Sequence, residues 1–187
     1  LEMLMEDENL SESQMEEILK TYQTLEYVSK LNKSLLLLSK IDNSQFVETS
    51  EICINEVLHR YLEDYQEVYD YRSIQLTLEE KGEFRIGMNE ALAVVLVTNL
   101  LKNAFVHNVD KGIIRIEITP ESFCFQNTGG DEALDEKRIF ERFYQGAKKK
   151  EGSTGLGLAI VHAVCRQYHL NISYRFLDNR HCFEIYR

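Results

Sequence analysis

The residues with the strongest claim to chemistry run Lys148-Lys149-Lys150-Glu151-Gly152-Ser153-Thr154-Gly155-Leu156-Gly157-Leu158. A lysine run meets a glycine cluster, which opens directly into an apolar helical pattern at Leu158, Val161, Val164, Cys165 and Tyr168. Glycine lets backbone N–H groups approach a ligand closely, and a helix N-terminus carries unpaired donors and partial positive charge. The combination suits an anion, phosphate above all. Two well-known phosphate loops do not fit. Gly152 and Gly157 have the glycine spacing of a Walker loop, but Leu158-Ala159 stand where Lys-Ser/Thr belongs. Gly155-Leu156-Gly157 begins a dinucleotide fingerprint, yet Ile160 holds the third glycine place and a lysine run precedes it rather than a strand. By itself the stretch reads equally well as a mobile loop ahead of a buried helix.

A second constellation lies upstream in Asn99-Leu100-Leu101-Lys102-Asn103-Ala104, inside a long apolar helical run. Asn99 and Asn103 are one helical turn apart and share a side. Asparagine is a poor interior helix residue because its amide competes for its own backbone. Two of them amid Leu, Val and Ala suggest amides with something to bind. A neutral amide oxygen suits magnesium, which takes oxygen ligands and keeps waters and phosphate oxygens for its remaining positions. A pair of helix-surface amides is the plain alternative. Between the two constellations sit Asn127-Thr128-Gly129 at a strand end and Ile139-Phe140-Glu141-Arg142-Phe143-Tyr144.

This ordered set resembles the asparagine box, first glycine box, phenylalanine box and second glycine box of sensor histidine kinases, members of the GHKL superfamily of ATP-binding domains. The resemblance covers residues 46–187, and the leading helical residues 1–45 resemble the C-terminal part of the same family's dimerisation hairpin. It implies an α+β fold: a GHKL-type α/β sandwich, a mixed sheet with three helices on one face, preceded by a long hairpin helix. It implies ATP and Mg2+ as ligands, with Asn103 as the metal ligand and Asn99 beside it. Asn127, Gly129, Phe143, Lys148, Lys149, Lys150, Thr154, Gly155, Leu156, Gly157 and Leu158 would complete the nucleotide site. His107 matches a position that stacks near the nucleotide, and a solvent-facing histidine at a helix end is the alternative. The implied activity is transfer of the ATP γ-phosphate to a histidine, then to an aspartate on the receiver domain of a response regulator. None of His59, His107, His162, His169 and His181 lies in the hairpin. The phosphoacceptor is therefore expected upstream of Leu1, and this chain is expected to bind ATP without phosphorylating itself. The other reading is a non-catalytic nucleotide-binding dimer or phosphatase module.

Several positions depart from the family pattern. Asn127 replaces a usual aspartate, so its acceptor for an adenine amine is neutral and weaker by about 1 kcal/mol. Gly129-Gly130-Asp131 follows directly where the family has Asp-x-Gly-x-Gly. Val106 and Gln145 replace a frequent lysine and arginine, and Lys148, Lys149 and Lys150 are expected to restore the lost charge. Gly146 and Gly152 flank them as hinges.

The elements that must hold these residues follow from pattern. Ser11 caps a helix with Gln14 at the capping-box position. An apolar stripe then runs through Met15, Ile18, Tyr22, Leu25, Val28, Leu31, Leu35 and Leu38. So long a helix with one apolar face needs partners; a core helix of the same domain is the plain alternative, and its length favours a hairpin that dimerises into four helices. The pattern breaks at Ile41–Gln45. A strand is expected at Phe46–Thr49, and a helix capped by Ser50. Strands follow at Ile74–Leu78 and Phe84–Ile86, then a helix from Asn89 to His107. A hairpin spans Ile113–Thr119 and Phe123–Gln126, and Phe140 and Phe143 share a short anchoring helix. A helix over 155–169 and strands Ile172–Phe176 and Cys182–Tyr186 close a seven-stranded sheet.

The 187-residue chain, 44% hydrophobic, suffices for one core and an appendage. A net charge of −10 argues against nonspecific nucleic-acid binding. Cys53, Cys124, Cys165 and Cys182 lack metal-ligand spacing and read as ordinary thiols in a reducing cytoplasm. No apolar run approaches the ~20 residues of a membrane span. The expected setting is a cytoplasmic portion of an inner-membrane-anchored bacterial sensor.

Overall fold

The computed structural model describes residues 10–130, 132–146 and 153–187. Helix α1 (Glu12–Asp42) starts at Ser11, whose hydroxyl accepts the Gln14 N–H while the Gln14 side chain accepts the Ser11 N–H. This reciprocal box satisfies two otherwise unpaired donors. The rest of the chain forms β1 (Ser50–Cys53), α2 (Ile54–Val68), β2 (Gln75–Glu80), β3 (Arg85–Met88) and α3 (Glu90–Val106). After these come β4 (Ile113–Ile118), β5 (Ser122–Thr128), α4 (Gly157–Gln167), β6 (Asn171–Leu177) and β7 (Arg180–Tyr186).

Five strands form the main sheet in the order β2-β4-β5-β7-β6, with β2 parallel to β4 and the other pairs antiparallel. The sheet is thus mixed, as expected. Helices α2, α3 and α4 pack together on one side of it, α3 in the middle. Alternation fixes which face they cover: Ile114, Ile116 and Ile118 of β4 and Phe123 and Phe125 of β5 are buried, while their neighbours are not. Each such side chain contributes about 2 kcal/mol by leaving water. Helix α3 is buried along most of its circumference, through Leu92, Leu96, Val97, Leu100, Leu101, Ala104 and Phe105, as the central member of a helical layer must be.

Three expectations are corrected. The described residues form seven strands, but β1 and β3 make a separate antiparallel pair with Ile52 opposite Ile86. The first strand lies at Ser50–Cys53 rather than Phe46–Thr49, since Val47 is 83% exposed and only the later register sets Ile52 and Cys53 against β3. Ser50 therefore sits in a strand and caps nothing. Cys53 precedes α2 without a side-chain cap, and the Phe84 carbonyl accepts the Ile54 N–H instead.

Helix α1 belongs to two environments. Its end, Leu38 and Ile41, is buried in the same core as the helical layer and packs on α4. Its middle leaves Leu19, Leu25, Tyr27, Val28 and Leu36 exposed. Asp42, the last α1 residue, accepts hydrogen bonds from both Arg142 and Arg166. Among the described residues, no helix is long and apolar enough to cross a membrane.

Candidate functional site

The two constellations read from the sequence meet where α3 passes the start of α4. Asn99 donates Nδ2–H to the Val95 carbonyl at 2.7 Å, which turns its Oδ1 outward. A Cβ on Gly157 would lie 3.1 Å from that oxygen. The first residue of α4 and an amide oxygen of α3 are therefore neighbours, and glycine leaves the space between them open. Asn103, one turn later and half-buried, makes no side-chain hydrogen bond to another described residue. Leu156, fully buried, precedes α4 and gives it no side-chain cap. The first N–H groups of a helix start have no intrahelical partner, and those of α4 begin beside Asn99.

Gly155 and Phe143 hold the loop before α4. Gly155 has φ +67°, and a Cβ there would come within 2.8 Å of the Phe143 and Tyr144 backbone. The Phe143 N–H donates to the Gly155 carbonyl at 3.0 Å, with Phe143 itself at φ +65°. A bulky residue in this region is rare and persists only where its surroundings enforce it. Gln145 donates to the Ser153 carbonyl at 2.6 Å, tying together the two sides of the loop, next to the half-buried Thr154. Lys148, Lys149, Lys150 and Gly152 lie outside the described residues.

The phenylalanine segment departs from expectation. Residues 136–143 form turns rather than a helix, held by the Asp135 carbonyl, which accepts from both Arg138 and Ile139 N–H. The buried anchor is Ile139, with Phe140 tilted against the His162 ring at 5.5 Å between ring centres. Phe143 is 55% exposed and anchors nothing. Its left-handed backbone, φ +65°, breaks the helical spacing that would have set it beside Phe140.

Asn127 follows Phe123 and Phe125 on the helix-facing side of β5, so the strand's alternation carries an amide into the core register. It is 1% exposed. Its Nδ2 donates to the Thr128 carbonyl at 2.9 Å, and its Oδ1 has no partner among the described residues. A buried acceptor left unpaired costs about 1–3 kcal/mol, a cost an incoming donor would remove. Directly opposite on β7 is His181. Its Nδ1 lies 2.8 Å from the Tyr174 hydroxyl, which also accepts the Leu134 N–H at 3.0 Å. Which of the two atoms donates depends on the histidine's tautomer. Burial pushes His181 below the usual histidine range. The same ring presses on Gly129, where a Cβ would meet its Cδ2 at 2.4 Å. His181 thus dictates glycine at this point of the rim.

Two supports for α3 escaped sequence reading. Arg72, only 12% exposed, donates to the Phe105 and Asn108 carbonyls at 2.6 Å each and to Asp110 at 2.8 Å. A cation thereby satisfies carbonyls at the negative end of α3. Asn108, 3% exposed, accepts from the Thr128 hydroxyl at 2.6 Å and from the Val109 N–H at 2.9 Å. It pins the α3 exit to the end of β5. His107, the C-terminal cap of α3, is exposed, and its carbonyl lies against Gly129. The asparagine helix, both glycine segments and Asn127 therefore rim one region, with Phe143 at its outer edge.

The residues fit a nucleotide with its metal. An orphaned buried acceptor at Asn127, an amide at Asn103 with no side-chain hydrogen bond to another described residue, and a glycine-cleared helix start at Gly157 offer the donors and acceptors that such a ligand needs. Among the described residues no group of three His, Cys, Asp or Glu could hold a metal alone, so a cation here would depend on amides, water and phosphate oxygens.

Comparison with known proteins agrees with this geometry. The heme sensor protein HssS of Staphylococcus saprophyticus is 28% identical over 89% of this chain and 36% of its own length. The sensor histidine kinase RppB of Synechocystis is 32% identical over 73% of this chain and 32% of its own. The chain thus spans about a third of the length of the curated relatives it matches. The solved histidine kinase ThkA, in complex with the response regulator protein TrrA, shares the fold with a TM-score of 0.68 at 20% identity. That match covers 96% of this chain and 52% of the solved one. Residues 88–184, more than half of the chain, match the histidine kinase-, DNA gyrase B- and HSP90-like ATPase family. The chain belongs to that family, and its ATPase domain is of the sensor histidine kinase type.

Proposed function

We propose that this chain is the ATP-binding core of a two-component sensor histidine kinase, in which an ATP γ-phosphate passes to a histidine upstream of Leu1 and then to a response-regulator aspartate. ATP supplies the phosphoryl group, and a magnesium ion would neutralise its charge. The protein's own part is binding and orientation. Asn103 would hold the metal with Asn99 beside it, Asn99 already having spent its Nδ2 on the helix and turned its oxygen to the site. The N–H groups from Gly155 to Leu158 would receive phosphate oxygens. Asn127 would offer its unpaired Oδ1 to the base, with Gly129 and His107 along the rim. Thr154 would add a hydroxyl and Lys148, Lys149 and Lys150 positive charge for the phosphates, and Phe143 would form the outer wall.

The observation that carries this reading is the approach of Asn99 Oδ1 to Gly157, since it joins the asparagine helix to the glycine loop across 58 residues of sequence. Fluorescence titration with a trinitrophenyl-ATP probe tests it: displacement by ATP, dependent on Mg2+ and lost in Asn103→Ala, supports the reading. A probe that binds equally well with and without Mg2+, in both proteins, contradicts it. The exposed apolar side chains of α1 support a homodimer through residues 1–45, with a receiver domain as the further partner. The proposed setting is the cytoplasmic part of a parent anchored in a bacterial inner membrane.

One observation favours the second reading, a nucleotide-responsive module without kinase activity: the base acceptor is a neutral, fully buried amide instead of a carboxylate. Joining the upstream segment and assaying phosphohistidine separates the two. Label on histidine supports the kinase, and binding without label supports the module.

A further inference from the structure

The face of the sheet turned away from the helices carries two thiols in contact. Because Phe123, Phe125 and Asn127 face the helices, Cys124 and Gln126 face the other way. On β7 the same alternation puts Cys182 and Glu184 there. Gln126 is the register partner of Cys182, so Cys124 and Cys182 are diagonal neighbours, and their Sγ atoms lie 2.9 Å apart. Arg175 is the register partner of Cys182 on β6. The other two cysteines sit apart from this pair: Cys53 lies at the start of α2, and burial in α4 pushes Cys165 up to about 12.

We propose that Cys124 and Cys182 form a reversible, peroxide-driven disulfide across β5 and β7 that controls the rim of the nucleotide site. Its formation is independent of any ligand; only its effect rests on the nucleotide reading above.

The chemistry begins at Cys182. The contact with Cys124 and the Arg175 guanidinium hold its proton affinity down, against burial and Glu184, which pairs with Arg175, while the same contact and burial raise Cys124. The Cys182 thiolate attacks one oxygen of hydrogen peroxide and breaks the O–O bond. That oxygen stays on sulfur as a sulfenic acid, and the other takes a proton and leaves as water. Cys124 sulfur then attacks Cys182 Sγ. Its thiol proton and the sulfenic hydroxyl depart as a second water as the S–S bond forms. The two sulfurs give up two electrons, which reduce one peroxide to two waters. A dithiol returns two electrons and two protons and restores both thiols.

Register shows why such a bond would be labile and would be felt at the site. Diagonal neighbours on antiparallel strands have Cα atoms about 7–8 Å apart, whereas a disulfide holds them at about 4.4–6.8 Å. Closing it shears β5 against β7. Bonds under strain reduce easily and belong to the regulatory class rather than the structural one. The sheared strands carry Asn127 and His181 opposite each other, and the His181 ring bears on Gly129. A displacement there moves both the base acceptor and the first glycine segment.

The test treats the full, reduced chain with hydrogen peroxide, then maps peptides without reduction. The expected result is loss of two hydrogens in mass, one peptide pair joined through Cys124 and Cys182, and recovery with dithiothreitol. Cys124→Ser should stop at a Cys182 sulfenic acid that dimedone traps. Independent oxidation of the two sulfurs, or bridges only between chains, overturns the site. Affinity for trinitrophenyl-ATP should fall by about fivefold or more on oxidation, recover with dithiothreitol, and stay constant in Cys124→Ser. A mapped disulfide with unchanged affinity and unchanged amide hydrogen exchange at residues 126–130 overturns the control of the rim. If the reduced chain fails to bind the probe, the nucleotide reading fails, and the peptide map and exchange data still decide the disulfide.

Discussion

Replacing Arg72 by alanine removes a cation that is 12% exposed and donates to two carbonyls at 2.6 Å where α3 ends. The last turn of a helix leaves carbonyls without intrahelical partners, and α3 has no basic residue of its own there. Hydrogen bonds to a charged group contribute about 1.5–3 kcal/mol each. Taking the low end for both, the loss is about 3 kcal/mol before any relaxation. For a chain of this size that corresponds to about 6–12 °C in Tm. The third bond, to Asp110, adds little, because Asp110 is 78% exposed and solvent screens such pairs. Thermal unfolding followed by circular dichroism should therefore rank Arg72→Ala far below Asp110→Ala, with Arg72→Lys between Arg72→Ala and the wild type. Since Asn103 and His107 lie on that last turn, probe affinity should fall with it. An Arg72→Ala protein that melts no lower than Asp110→Ala would refute the claim that this arginine holds the end of the asparagine helix.

Gly129→Ala should lower stability by about 1–3 kcal/mol, the usual cost of overpacking, because its Cβ meets the His181 ring at 2.4 Å. Gly130→Ala, with nothing within 4 Å, should leave the melting curve unchanged. His162 and His181 are both held below the usual histidine value, chiefly by burial. The unfolded chain then binds more protons, so stability is full above about pH 6.5 and falls as pH drops through the depressed values. Urea midpoints measured from pH 8 to 5 should show that decline, less steeply in His162→Gln. Asp42→Asn breaks the contacts to Arg142 and Arg166 and should cost about 1 kcal/mol or less, these arginines being more than half exposed. The difference should shrink in high salt, and limited proteolysis should cut near Asp42 faster.

Local signals carried most of what was legible in the sequence. The caps at Ser11 and Asn89 announce themselves within four residues, and both helices start there. The alternation around Pro120 fixes the β4–β5 hairpin, and with it the core register that Asn127 occupies. Long-range pairing was hidden. Nothing near Ile74–Leu78 says that β2 pairs in parallel with β4 while β3 leaves for β1. A turn at Lys81-Gly82 fits a hairpin equally well. Arg72 is 33 residues from the carbonyl it caps at Phe105, and Cys124 is 58 from Cys182. Such partners are set by sheet order, which periodicity does not encode. Asn108 lies just beyond the asparagine box, and its role depends on Thr128 across the hairpin. The phenylalanine segment misled because Phe140 and Phe143 have helical spacing, whereas a left-handed backbone at Phe143 breaks the turn.

The central claim is that the α3 amides and the glycine-cleared start of α4 together grip a metal-bound nucleotide. Calorimetric titration of the non-hydrolysable analogue AMPPNP into this chain, with Mg2+ and then with the metal chelated, tests it most directly, alongside Asn103→Ala. The account predicts binding heat that falls sharply on chelation in the wild type and is weak under both conditions in the variant. Equal heats in all four titrations, or none in any, would contradict it.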